Sequence, residues 1–145
     1  MIREAGFSLV EILIVVAILG ILAAIIVPEI SGAGVEARTS ALETDLRSVR
    51  SQMGLYKLHH NYQLPAVAGE NSADFSRRMT TQTNVNGDPG FDFGPYLKSL
   101  PVNKFNDLGT VRIDGAAAGG NTDGWRFDTI TGAFQADDSP GHAML

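Results

Sequence analysis

The chain has 145 residues, of which 44% are hydrophobic and 19% charged, with a formal net charge of −5. That length holds one small domain, and residues 29–145 carry ten basic against fourteen acidic side chains, which speaks against a general nucleic-acid coat. With no cysteine, disulfide frameworks, cysteine zinc sites, iron–sulfur clusters and thiol nucleophiles are excluded.

From Phe7 to Val27 only Ser8 and Glu11 are polar, and residues 12–27 carry no polar side chain at all. A helix over 7–27 is roughly 31 Å long, about the thickness of a bilayer core. Two other readings compete with a membrane span. A signal peptide would have a shorter apolar run and a small-residue cleavage site, for which Ala23-Ala24 is a weak candidate and Val27-Pro28-Glu29-Ile30 is not. A buried core helix would oblige a small domain to enclose the whole run. The expectation is a span over 7–27. Glu11 lies four positions into the apolar stretch, and a carboxylate at membrane depth costs about 2.5–3.5 kcal/mol. It therefore either sits at headgroup level or meets a cation. Arg3 is one candidate, and a free α-amino group at Phe7, created by a cut between Gly6 and Phe7, is another.

Gly6-Phe7-Ser8-Leu9-Val10-Glu11 followed by the apolar run resembles the N-terminus of type IV prepilins and type II secretion pseudopilins. Gly20 and Pro28 fall where that family commonly has a helix-weakening glycine and proline. The resemblance implies that residues 1–6 are a leader cut after Gly6 by a prepilin peptidase and that Phe7 is then N-methylated. It also implies that Glu11 neutralises the Phe7 amine of a neighbouring subunit. Gly20 weakens a helix by about 1 kcal/mol relative to alanine, and Pro28 removes a donor and collides with the Ala24 carbonyl. A kink at Pro28 is the simplest consequence, whereas the resemblance favours partial melting between the two in an assembled filament.

Beyond Pro28, Val35, Leu42, Val49 and Tyr56 recur every seven residues, with Leu46, Met53 and His60 as a companion row. This predicts an amphipathic helix over 28–61, one face on the chain's own sheet, ending near Asn61 before Pro65. Residues 64–94 read as a long connection with a turn at Asn86-Gly87-Asp88-Pro89-Gly90 and a short helix over Ser72–Met79 capped by Asn71 or Ser72. Gly94-Pro95-Tyr96-Leu97-Lys98-Ser99-Leu100-Pro101 resembles a segment of type II secretion major pseudopilins and some cysteine-free type IV pilins, although Val102-Asn103-Lys104-Phe105-Asn106 departs from the usual continuation.

Strands are expected at Thr110–Asp114, Trp125–Thr129 and Ala133–Ala136, with a turn at Thr131-Gly132. They would form a small antiparallel sheet presenting Val111, Ile113, Trp125, Phe127 and Phe134 to the helix. Gly115–Gly120 reads as a flexible loop without a phosphate-binding context. The fold class is α+β and pilin-like: a long N-terminal helix, half transmembrane and half amphipathic, packed on a small C-terminal sheet, with loop and sheet over 62–145.

No nucleophile, base and orienting group assemble into a catalytic set, so no enzyme activity is predicted. His59 and His60 are adjacent on a helix and do not converge on a metal, and His142 falls in an expected mobile tail. The C-terminal region is rich in oxygen donors, which suit calcium. The resemblance to major pseudopilins raises calcium as a cofactor, with Asp114, Asn121 and Asp123 as candidate ligands.

The expected role is a structural subunit. It waits in membrane lipid of the bacterial inner membrane, as a single-pass protein with a periplasmic domain over 28–145. It then polymerises through its N-terminal helix into a periplasmic or surface filament. The leading reading is the major pseudopilin of type II secretion, with a major or minor type IV pilin as the alternative. Implied partners are further copies of the chain, the prepilin peptidase, an inner-membrane assembly platform and minor pilins or pseudopilins. A tip-binding module would need a local basic patch such as Arg77-Arg78.

Overall fold

The computed structural model describes residues 8–145, and within them the side chains of 25–33 lie outside the description. Helix α1 runs Leu9–His59. Its backbone is helical through Gly20 and Pro28, so the single chain shows no break at either position. The chain divides between Ala37 and Arg38 into two compact units.

In the first unit every large apolar side chain from Leu9 to Leu22 is 48–82% exposed. Among the described residues no helix is long and apolar enough to cross a membrane. The span expected over 7–27 begins outside the described residues, and its side chains from 25 to 27 lie outside them as well. Val35, expected in the buried stripe, belongs to this unit and is 55% exposed.

In the second unit α1 buries Leu42, Leu46, Val49, Met53 and Tyr56, with His60 just past its end. These are the two predicted rows, one stripe at helical spacing. The helix ends because Asn61 and Tyr62 turn to φ +52° and +64°. Tyr62 then donates its N–H to the Lys57 carbonyl at 2.7 Å, satisfying an orphan helical acceptor.

Helix α2 spans Ser72–Thr80. Asn71 caps it: the Asn71 amide oxygen accepts from the backbone N–H groups of Ala73 and Asp74, and the Asp74 carboxylate accepts from the Asn71 N–H. This reciprocal box is why a helix of two turns persists. Phe75 and Met79 on its inner face complete the core with Val111, Trp125, Phe127, Phe134 and Ala136, while Ile113 packs against it partly buried. Phe75 lies 5.2 Å from Phe127 and Trp125 5.3 Å from Phe134 between ring centres.

Strands β1 (Val111–Ile113), β2 (Trp125–Phe127) and β3 (Phe134–Ala136) form one sheet in the order β1-β2-β3. The expected all-antiparallel sheet is corrected here. Strands β2 and β3 are antiparallel, but β1 and β2 run parallel with Val111 opposite Trp125. A parallel pair needs a crossover of roughly a dozen residues, and 114–124 supplies it as a loop rather than a helix. The expected turn between β2 and β3 is present. Gly132, at φ +74°, donates its N–H to Asp128, and Asp128 donates to the Ala133 carbonyl.

Candidate functional site

At the start of α1 the Glu11 carboxylate accepts the backbone N–H of Ser8 at 2.8 Å, and Ile12 donates to the Ser8 carbonyl. Glu11 thus closes the first turn of its own helix, where a carboxylate is favoured by the helix dipole. Around it stand Leu9, Val10, Ile12 and Leu13, all more than half exposed. A helix apolar on all faces and exposed on all of them is suited to lipid or to a bundle of like helices. Gly6, Phe7 and Arg3, which carry the expected cut, methylation and counter-charge, lie outside the described residues, as does the side chain of Pro28.

The C-terminal candidates are arranged differently from the expectation. The Asp114 carboxylate accepts the Thr129 N–H and hydroxyl, both at 2.7 Å. The Asn121 side chain and the Asp123 carbonyl both accept from the Asn106 amide. The structure therefore brings Asn121 and Asp123 together on Asn106 and commits Asp114 to Thr129. Among the described residues no three His, Asp or Glu side chains group as metal ligands.

The organising group is Asp137, which the sequence alone did not single out. It is fully buried. Its carboxylate accepts from the Arg112 guanidinium at 2.7 Å, from the Thr122 hydroxyl, and from the backbone N–H groups of Gly119, Thr122 and Asp123. Burial pushes its pKa up, but the Arg112 and Thr122 bonds and the backbone donors outweigh that and hold it at about 2. Arg112 in turn donates to the carbonyls of Asp114, Ala116 and Ala117. The Gly115–Gly120 segment, expected to be flexible, is therefore tied down from both sides.

The tail is also held. His142 pairs with the Asp138 carboxylate and packs on Phe105 at 4.2 Å. Arg50 on α1 donates to the carbonyls of Phe134 and Leu145. His60 is buried with its two ring nitrogens on the Tyr56 carbonyl and the Thr83 hydroxyl, so it fastens the end of α1 to the following loop. The Arg77-Arg78 patch is consumed internally: Arg78 holds Glu70 and the Pro65 and Gly87 carbonyls, and Arg77 holds Gly87.

Residues 1–27 match the family model described as the prokaryotic N-terminal methylation motif. The chain is 28% identical to type II secretion system core protein G of Pseudomonas aeruginosa, over 83% of this chain and 92% of that protein. It is 36% identical to the protein of that name from Aeromonas hydrophila over 68% and 66% of the respective chains, and 30% identical to that of Pectobacterium carotovorum over 68% and 60%. No solved structure matches. The motif and the helix it heads make the chain a protein of the pilin and pseudopilin class. Its relatives place it in the family of type II secretion system core protein G, the major pseudopilin.

Proposed function

We propose that this chain is the subunit of a type II secretion pseudopilus, a filament built from many copies through helix α1. The observation that carries this reading is the all-round exposed apolar surface of α1 from Leu9 to Leu22, headed by the methylation motif. About 25 cal/mol for each Å² of apolar surface removed from water drives such a helix into lipid, and close packing against like helices then carries it from lipid into a bundle. In the inner membrane the span over 7–27 holds the chain with residues 28–145 in the periplasm. A prepilin peptidase removes residues 1–6 and methylates Phe7, and assembly then involves an inner-membrane platform and minor pseudopilins.

Glu11 gives the transfer its register. In the single chain its carboxylate holds the Ser8 N–H. In the filament it meets the Phe7 amine of a neighbour, a buried pair that favours one axial offset. Identical head-to-tail contacts that do not close a ring extend into a helical filament. The test is Glu11→Ala, with membrane level and filament yield measured together. Normal membrane level with filaments lost supports the pairing, and normal filaments contradict it.

Calcium is a separate proposal, supported by the resemblance and by the oxygen donors of Asn121 and Asp123 on one loop. Millimolar calcium should raise the Tm of a 28–145 fragment by mass action. An unchanged Tm, insensitive to a chelator, leaves the loop to Asp137 alone.

A further inference from the structure

The face of α1 opposite its core stripe carries Ser51, Gly54, Leu55 and Leu58, with Tyr62 just beyond the helix end, a spacing that keeps them on one side. Leu58 is 65% and Tyr62 75% exposed. With Lys57 these residues line an open groove of about 490 Å³, and a Cβ on Gly54 would meet nothing within 4 Å. The core side of the same turns is already filled by Val49, Met53 and Tyr56, so this second apolar stripe has no use inside the domain.

The loop 84–93 offers a shape that fits such a groove. Phe91 is 90% exposed, while Phe93, two residues on, turns inward and stacks on His59 at 4.7 Å. The loop is fixed rather than loose. The Asn84 side chain accepts from the Asn86 and Asp88 N–H groups, and Thr83 and Phe93 exchange both backbone bonds. Asp88 and Asp92 are exposed beside Phe91, and neither they nor Lys57 forms a salt bridge among the described residues. Arg77, which borders Phe91, donates a hydrogen bond to the Gly87 carbonyl.

We infer that Phe91 of one subunit seats in the Ser51–Tyr62 groove of the next, with Asp92 facing Lys57, so that a second copy of this chain covers both surfaces. Knob and groove are formed by different residues; passed head to tail from each copy to the next they make a heterologous contact, which extends into a filament where the rotation does not close a ring. The apolar area supplies affinity and the charge pair sets orientation. The inference rests on the filament reading above.

A chain without cysteine suits cross-linking in assembling cells. Gly54→Cys combined with Asp92→Cys should give a ladder of disulfide-linked multimers on mild oxidation, and each single variant only monomer. Lys57→Glu and Asp92→Lys should each lower filament yield about tenfold at unchanged subunit level, and the two together should restore it. Filaments at the parent level without a ladder overturn the contact, as does a ladder from Gly54→Cys alone or one that forms with Ile130→Cys, at an exposed position outside the 84–93 loop, and not with Asp92→Cys. Failure of the charge exchange to restore yield overturns the Lys57–Asp92 pairing. If the parent chain itself forms no filaments in the same cells, the filament reading falls, and this contact with it.

Discussion

Asp137 shows how a single residue closes a domain that has no disulfide. Five donors meet its carboxylate, and they join β1 and the 114–124 loop to the end of β3. Asp137→Asn leaves the Arg112 guanidinium, which is only partly exposed, without its counter-ion. Removing one partner of such a pair costs on the order of 3 kcal/mol, and urea denaturation of a 28–145 fragment should show that loss. Asp128 is likewise held at about 2, first by the Thr131 N–H and hydroxyl and then by Arg126. Both folded-state values lie below the ordinary carboxylate value, so both groups favour the folded state above about pH 5, and their contribution fades as pH falls through 4 toward 2. The Tm of the parent fragment should therefore drop between pH 5 and 2, and that of Asp137→Asn should drop less. At the other end of the core, Asn71→Ala removes the acceptor of the capping box and should cost about 1 kcal/mol.

At the scale of elements, what was legible followed local periodicity. The rows Leu42-Val49-Tyr56 and Leu46-Met53-His60 announced the buried face of α1 because helical spacing alone places them together. Asn71, a good cap before Ser72–Met79, announced α2 from local chemistry in the same way. The direction of β1 against β2 was not legible, because it depends on where the 114–124 loop lands. That is set by Arg112 and Asp137, which are distant in sequence. Arg126 alternates with the inward Trp125 and Phe127, yet it too is buried, against Asp128 and Gln135. The bonds from Thr129 to Asp114 were not legible either, because composition counts oxygens and cannot see their partners. The crossover itself passes close to the loop before β1. A Cβ on Gly124 would collide with the Leu108 carbonyl, so Gly124→Ala should lower the Tm of the fragment by several degrees while Gly120→Ala, with open space around it, should change it little.

Over the whole molecule, the first unit exposes what the second conceals. The large apolar side chains from Leu9 to Leu22 face outward, and the N-terminal motif read from Gly6, Phe7 and Glu11 matches the prokaryotic methylation motif. A chain built this way is incomplete alone and is satisfied by lipid or by copies of itself. Mass spectrometry of filaments sheared from cells reads out both the assembly and the processing that precedes it. Their subunits should begin at Phe7 with one added methyl on the nitrogen. Filaments lacking this chain, or containing it with an intact Met1 terminus, would contradict this.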